Sequence, residues 1–238
     1  MTSFYQSLKN KQQSGLIPVI PDIKLLSPKE GDLLRGRCPV AAAQLFEQLG
    51  APAISVVTEP HDFGGSLELL QSVSAAVSIP VLRKDFISCE ADLLATREHG
   101  AAAILLICSC MEPPQLSALY YAALQLGIEP LVEAHTEQEL RFAATLQPQL
   151  VGINNRDILA LEKDDGTVAT TAGLINLAPP GALLISESGI ATPGQARAAI
   201  DCGADAVLIG TALWQAEDMG SFYQQLCRGE DADGAANR

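Results

Sequence analysis

The sequence has few aromatic side chains, few charged side chains and no long apolar run. Aromatic residues make up 5% and charged residues 18% of its 238 residues. The longest apolar stretch, Ala101 to Met111, is too short to cross a bilayer, and residues 1–15 lack the apolar core of a secretion signal. Hydrophobic residues still amount to 48%, which excludes a wholly disordered chain. We therefore expect a cytoplasmic globular protein with no membrane partner.

Paired cysteines, the usual mark of a structural zinc site, are also missing. The six cysteines stand singly, apart from Cys108 and Cys110, and the three histidines have no metal-ligand spacing. We interpret the cysteines as buried thiols of a reduced compartment. The sequence therefore predicts a protein without a bound metal.

Basic residues are scarce relative to acidic ones. The chain has 15 Lys and Arg against 28 Asp and Glu, which gives a formal net charge of −13. A nucleic-acid-binding protein needs a basic face, so we expect no nucleic-acid partner. A small anionic ligand is still compatible with this charge, because a few local cations can oppose the field of the whole protein.

Short apolar segments recur along the chain about every 27 residues, the length of one strand, one crossover helix and two loops. The segments are residues 18–24, 53–58, 80–85, 102–108, 129–135, 149–154, 182–188 and 205–210. Segments with helical patterns lie between them, among them Pro39–Leu49, Cys89–His99, Thr136–Leu146 and Thr192–Cys202.

Eight strand-then-helix units close most economically into a single-domain (βα)8 TIM barrel. We predict this α/β barrel over residues 18–227, after a short N-terminal extension at 1–17 and before a disordered tail at 228–238. A doubly wound open sheet is the alternative fold. Within the extension, FYQSLKNKQQ is expected to form one helix that covers the bottom or the mouth of the barrel.

Polar residues gather where the predicted strands end. In a (βα)8 barrel these C-terminal strand ends and the following loops build the active site. The candidates are Asp22, Lys24, Lys84, Glu133, Asn154 and Glu187. Lysines and carboxylates on one ring of strand ends can divide acid and base roles, because burial and neighbouring charges separate their pKa values. A structural ion-pair network is the alternative interpretation.

Glycine turns follow the seventh and eighth predicted strands, at Gly189 and Gly210. Backbone at these places, with a helix N-terminus behind it, is the usual phosphate site of such barrels, and Ser27 in the first loop adds a hydroxyl group. Phe63 and Phe86 follow the second and third strands and are candidates for the walls of an aromatic substrate pocket.

Seven segments of this chain, in this order, resemble indole-3-glycerol phosphate synthase over about residues 18–220. They are DIKLLSP (22–28), ISVVTEPHDFGGSLELL (54–70), PVLRKDFI (80–87), LVEAHTEQEL (131–140), GINNRD (152–157), SESGI (186–190) and AVLIGTAL (206–213). The resemblance implies a cofactor-independent carboxy-lyase of tryptophan biosynthesis. Its reaction converts 1-(2-carboxyphenylamino)-1-deoxyribulose 5-phosphate into indole-3-glycerol phosphate, with loss of CO₂ and water.

The resemblance also implies roles for individual residues. Lys84 would protonate the substrate ketone, Glu133 would accept or relay protons, and Lys24 would meet the substrate carboxylate. Asn154 and Glu187 would hold the ribulose hydroxyl groups and tune the lysines, and Asp22 would complete the catalytic set. The substrate-binding positions that it carries over are Ser27, Pro28, Phe63, Phe86, Leu105, Arg156, Ser188, Gly189, Gly210 and Thr211.

Two features depart from the family pattern. Asp22 stands where the family usually has Glu, and the N-terminal extension is shorter than the helical extension usual in the family. A diverged barrel enzyme acting on another phosphosugar or Amadori-type compound is one alternative function, and a non-catalytic phosphometabolite-binding subunit is another. We expect a phosphorylated small-molecule substrate and a monomer or weak homo-oligomer, with possible docking to another tryptophan-pathway enzyme.

Overall fold

Eight parallel strands form a closed barrel in the computed structural model, which describes residues 3–156 and 166–230. The strands are β1 (Val19–Ile23), β2 (Ile54–Val57), β3 (Val81–Lys84), β4 (Ala103–Ile107), β5 (Glu129–Ala134), β6 (Leu150–Asn154), β7 (Leu183–Glu187) and β8 (Ala206–Ile209). Each strand pairs with its neighbours in chain order, and β8 pairs with β1. The barrel prediction is therefore confirmed, and the open-sheet alternative is wrong.

One helix precedes the first strand, and the others surround the barrel. They are α1 (Phe4–Gln12), α2 (Pro39–Gln48), α3 (Leu67–Ala76), α4 (Glu90–Glu98), α5 (Pro113–Gln125), α6 (Glu137–Thr145), α7 (Ala169–Leu174), α8 (Pro193–Asp201), α9 (Thr211–Gln215) and α10 (Met219–Arg228). A two-strand hairpin, Leu26–Ser27 with Gly31–Asp32, follows β1. Thr192 begins α8 as predicted: its side chain accepts a hydrogen bond from the backbone of Gln195, whose own side chain accepts one from the backbone of Thr192.

The lower interior of the barrel, at the N-terminal ends of the strands, is apolar. Inward-facing aliphatic side chains from several strands pack there, among them Leu82, Leu105, Leu131, Leu150 and Ile185. Two further apolar clusters lie where the surrounding helices pack on the outer face of the strands. The near-continuous apolar character of the strand sequences follows from this burial on both faces.

The first helix closes this lower end. Phe4 and Leu8 of α1 are fully buried and pack into the apolar barrel interior. The carboxylate of Glu129, at the start of β5, accepts hydrogen bonds of 2.7 Å and 2.8 Å from the backbone of Phe4 and Tyr5. The expected N-terminal helix therefore forms, and it covers the bottom of the barrel rather than its mouth.

The cysteines differ from the expectation that they are buried. All six are free thiols, but only Cys108 and Cys227 are buried. Cys38 and Cys89 occupy N-cap positions and Cys202 a C-cap position, where helix ends face solvent. Cys110, at the end of a short 3₁₀ turn, is also exposed.

Two other expectations concern membrane-spanning segments and the C-terminal tail. No helix within residues 3–156 and 166–230 has both the length and the apolar character that crossing a bilayer requires. Residues 231–238 of the predicted tail lie outside the described residues.

Candidate active site

The six candidate catalytic side chains are brought together in the upper barrel interior and are all buried. Strand register explains much of this convergence. Glu133 of β5 lies opposite Gly152 of β6, and Asn154 of β6 lies opposite Glu187 of β7. Because side chains alternate along a strand, these inward positions share one layer above the apolar residues. Asp22 and Lys24 reach the same region from the end of β1.

Lys84 links two of the buried carboxylates. Its Nζ atom lies 3.2 Å from Oε2 of Glu187 and 3.6 Å from Oε2 of Glu133. Burial raises the pKa of Glu187 to about 8; Lys84 opposes this rise, whereas the charges of Glu133 and Asp22 add to it. The Glu187 carboxyl group therefore holds its proton more tightly than an ordinary glutamate does.

Gly152 makes room for this cluster, and sequence reasoning did not single it out. A Cβ atom at this position would overlap Oε1 of Glu187 and come within 3.6 Å of the Glu133 backbone. The signal in the sequence was a glycine inside an otherwise apolar strand, which often marks a close approach to another group.

His135 stands behind Glu133, at the end of β5. Its Nε2 atom lies 3.6 Å from Oε1 of Glu133, and its Nδ1 atom lies 3.6 Å from Oε2 of Glu139 on α6. Burial lowers the pKa of His135, but the carboxylates of Glu139, Glu133 and Glu187 outweigh it, so the pKa is raised. The ring is therefore biased towards its cationic form.

An apolar cavity of about 340 Å³ opens beside the lysines. It is lined by Lys24, Val57, Glu59, Phe63, Lys84, Asp85, Phe86, Leu105 and Ile107. The Nζ atom of Lys24 lies 5.1 Å from the centre of the Phe63 ring, in range of a cation–π interaction. Three of the predicted substrate-binding residues, Phe63, Phe86 and Leu105, thus line this cavity, whereas Pro28, in the turn of the hairpin after β1, does not.

Glu59 holds the loop that presents Phe63, and sequence reasoning missed it. Its carboxylate accepts hydrogen bonds from the backbone of His61, Asp62 and Phe63 at 2.8–3.0 Å. The carboxylate is buried, so these three bonds fix the loop that follows β2. The sequence places Glu59 directly after a strand, but only the folded loop identifies its partners.

A second, polar cavity of about 970 Å³ lies on the other side of the same lysines and is partly open to solvent. Its lining includes Asp22, Lys24, Lys84, Arg156, Gly166, Ser188, Gly189, Gly210 and Thr211. Ser27 does not line it; its hydroxyl group accepts a hydrogen bond of 3.4 Å from the backbone of Glu30. Lys24 and Lys84 are thus common to both cavities.

Asn155 ties the loop after β7 to the end of β6. Its side-chain nitrogen lies 3.0 Å from three acceptors, the hydroxyl group of Ser186 and the backbone oxygens of Glu187 and Ser188. Its side-chain oxygen accepts hydrogen bonds from the backbone and hydroxyl group of Thr171. Ser188 has a φ of 62°, a left-handed conformation that this network supports. The sequence places both Asn154 and Asn155 at the end of this strand, but sequence reasoning assigned a role to Asn154 alone.

The arrangement suits acid–base chemistry on a molecule that has an aromatic ring at one end and an anionic group at the other. An ammonium group beside buried carboxylates can donate and recover a proton. The apolar cavity suits an aromatic ring, and the polar cavity, with Arg156 and backbone at Gly189 and Gly210, suits an anion. Within residues 3–156 and 166–230, no group of three or more His, Cys, Asp or Glu side chains is placed to hold a metal ion.

Known proteins are similar in sequence to this chain over nearly its whole length. A family model described as indole-3-glycerol phosphate synthase matches residues 1–226. Proteins of that name from Pyrococcus furiosus and Thermococcus kodakarensis are each 42% identical to the chain, over 213 and 208 residues. These matches cover 90% and 87% of this chain and 92% and 91% of the relatives. A protein of the same name from Exiguobacterium sibiricum is 40% identical over 224 residues, which cover 94% of this chain and 84% of that relative.

Proposed function

The chain belongs to the indole-3-glycerol phosphate synthase family, and from this premise we propose that Lys84 and Glu133 form its acid–base set. The chain is a carboxy-lyase of tryptophan biosynthesis. It converts 1-(2-carboxyphenylamino)-1-deoxyribulose 5-phosphate into indole-3-glycerol phosphate, CO₂ and water. The diverged-enzyme and non-catalytic alternatives are not favoured by relatives of this similarity.

The observation that carries the residue assignment is the position of two lysines between two cavities of opposite character. The aromatic ring of the substrate fits the apolar cavity, and its phosphate fits the polar one. The bond-forming carbons lie between these two ends of the substrate. Lys24 and Lys84, which line both cavities, are therefore the side chains best placed to act there.

In the proposed mechanism, the ring carbon that bears the carboxylate attacks the ketone while the Lys84 ammonium group protonates the ketone oxygen. Lys24 pairs with the substrate carboxylate, which leaves as CO₂ and returns its electron pair to the ring. Loss of water then needs one proton delivered to the new hydroxyl group and one removed from the neighbouring CH₂ carbon. Glu133, 3.6 Å from Lys84, supports this exchange as base and relay.

The remaining candidates are assigned by their surroundings. Glu187 lies beside Lys84, and Asn154 lies opposite Glu187 on the neighbouring strand; we propose that both hold the ribulose hydroxyl groups. Asp22 lines the polar cavity and packs against Gly210, where an added Cβ atom would lie 3.1 Å from its Oδ2 atom. For the phosphate we propose Arg156, Ser188, Gly189, Gly210 and Thr211, and for the ring Phe63, Phe86 and Leu105. The roles of Ser27 and Pro28 stay predictions, since neither lines a cavity.

Two further parts of the proposal rest on sequence reasoning. We propose a cytoplasmic location, because the free cysteines suit a reducing compartment. We also propose a monomer or weak homo-oligomer that can dock to another tryptophan-pathway enzyme. Size-exclusion chromatography of the purified chain at several concentrations tests the oligomeric part.

A turnover assay tests the assignment of the acid–base set. The purified protein is mixed with the anilino-deoxyribulose phosphate, and indole fluorescence is followed. We expect product from the wild type and a loss of turnover on the order of 10²-fold or more in Glu133→Gln, because the amide cannot relay protons. The matched control is Glu137→Gln, which changes an exposed glutamate paired with Arg141 on α6. Wild-type turnover in Glu133→Gln would refute the assignment of Glu133.

A further inference from the structure

The stoichiometry of the reaction requires that one proton be consumed in each turnover. The substrate carboxyl group is ionised at neutral pH, since ordinary carboxyl groups have a pKa of about 4. The products are neutral CO₂, water and a phosphorylated indole that keeps the phosphate unchanged. One proton must therefore enter the site from solvent in every turnover. This inference rests on the function given above and adds the route of that proton.

The acid–base set is poorly placed to receive the proton through the substrate cavities. Glu133 is fully buried and lines neither cavity, whereas Lys84 lines both. When substrate fills the two cavities, it stands between Lys84 and bulk solvent. A resupply route that stays open during the reaction must therefore approach from another side.

Two polar side chains lead from Glu133 towards the protein surface. His135 lies 3.6 Å from Glu133 through Nε2 and 3.6 Å from Glu139 through Nδ1, and it lines neither cavity. The Glu139 side chain is 21% exposed and that of His135 is 13% exposed, while that of Glu133 is fully buried. Exposure thus rises along the series from the barrel interior to α6.

We propose that His135 and Glu139 conduct the proton from solvent to Glu133. The imidazolium ring gives its Nε2 proton to Oε1 of Glu133, so an N–H bond breaks and an O–H bond forms. Glu133 then returns a proton to the Lys84 amine, which has given its own to the substrate oxygen. The neutral ring, which still holds its Nδ1 proton, makes a half-turn about its Cβ–Cγ bond so that the bare Nε2 atom faces Glu139. It takes a new proton from solvent through Glu139, and the reverse turn restores the starting state. The sum is one proton taken up per turnover.

The charges around His135 favour this role. Carboxylates face it from three elements, Glu133 on β5, Glu139 on α6 and Glu187 on β7. The thiols of Cys108 and Cys110 lie in the turn after β4. Burial, with the charges of Glu139 and Glu133, raises the pKa of Cys108 to about 12, and desolvation of the sulfur with the same two charges raises the pKa of Cys110, although that residue is partly exposed. Both thiols therefore stay neutral, and the ring is the titratable cation among these groups.

Comparing the first turnover with later ones separates a proton relay from a structural role. In His135→Gln the proton already held by Lys84 serves the first turnover, so we expect the first-turnover rate to stay within about twofold of the wild type. We expect the steady-state rate to fall about tenfold and its solvent isotope effect to rise, since reprotonation becomes limiting. The matched control His99→Gln alters a histidine that bonds the Ala95 carbonyl at the end of α4, and should change neither rate.

A second variant guards against a folding defect in the first. Glu139→Gln keeps an oxygen that can accept the hydrogen bond from the His135 backbone but removes the negative charge beside the ring. Its steady-state rate should fall about threefold, with Glu137→Gln as the control. Equal slowing of first and later turnovers in His135→Gln, or unchanged steady-state rates in either variant, would overturn the relay. Absence of product from the wild type would instead refute the function itself.

Discussion

The two ends of the barrel interior differ in polarity: the bottom is apolar, whereas the mouth holds charged and polar side chains. At the bottom, α1 inserts Phe4 and Leu8 among aliphatic side chains, and Glu129 secures the start of that helix. At the mouth, Lys84 and Glu187 are buried together with other charged and polar side chains. The same eight strands run through both ends, so the difference lies only in which residues occupy successive inward positions.

This difference indicates that the bottom of the barrel mainly stabilises the fold, while the mouth carries the residues that react. Burial of apolar side chains at the bottom stabilises the folded chain. Burial of charges at the mouth is costly unless the charges are paired, and even paired buried charges often contribute little net stability. The bottom can therefore support a mouth whose residues are suited to reaction rather than to stability.

The largest effect on turnover is expected when Lys84 at the barrel mouth is removed. Lys84→Ala removes the proposed acid and the cation that lies between two buried carboxylates. We expect turnover to fall on the order of 10³-fold in the indole fluorescence assay. Lys9→Ala, which removes a lysine of α1 near the bottom, is the matched control and should turn over normally. Equal losses in the two variants would break the comparison between the ends.

The next effect concerns the glycine that makes room for the cluster. Gly152→Ala places a methyl group against Glu187 and should displace it from Lys84. A misplacement of about 1 Å can cost on the order of 10²-fold in kcat, and we expect a loss of that size. Gly173→Ala is the control, because an added Cβ atom meets nothing within 4 Å at that exposed position. Normal kcat in Gly152→Ala would contradict the close packing at the mouth.

A change at the bottom should affect stability and leave the chemistry alone. Phe4→Ala removes a fully buried aromatic ring, which costs about 3–5 kcal/mol of unfolding free energy. For a chain of this size we expect Tm to fall by about 10 °C, with kcat unchanged below the transition. Leu16→Ala, at an exposed position after the same helix, should shift Tm far less. A large drop in kcat with Phe4→Ala would mean that the two ends are coupled.

The smallest effect is a pH dependence of stability that comes from the mouth. The pKa of Glu187 is about 8 in the folded protein against an ordinary value of 4.5, so the folded state holds a proton that the unfolded chain releases. Stability should therefore fall as pH rises from about 5 to about 8. Glu187→Gln, which cannot ionise, should reduce that fall by a few degrees in Tm, whereas the exposed Glu137→Gln should not. Equal slopes of Tm against pH in wild type and Glu187→Gln would contradict the raised pKa.

Much of the fold could be predicted because strand and helix patterns are local. The eight strands lie inside the predicted segments, and the cap of α8 at Thr192 is the one that its sequence indicates. The exposure of the cysteines could not be predicted in this way, because it depends on whether each residue falls at a helix end. Cys38 and Cys89 are exposed N-cap residues even though cysteine is usually buried.

The site could be predicted in part, for a related reason. Residues at strand ends converge in any (βα)8 barrel, and this convergence places Lys24 and Lys84 at one mouth. The contributions of Glu59, Gly152 and Asn155 could not be found in this way. These three residues act through contacts with residues distant in sequence or through the conformation of a loop. Such contacts and conformations do not follow from residue type and spacing.

By itself, the sequence determined the barrel, the ring of lysines and carboxylates at its mouth, and the resemblance to a known family. These features follow from hydrophobic periodicity and from motifs of a few neighbouring residues. Only the tertiary structure decided that α1 closes the bottom, that two cavities share Lys24 and Lys84, and that His135 and Glu139 lead outwards from Glu133. Distances between side chains on different strands and helices set these features, and such distances exist only once the barrel has closed.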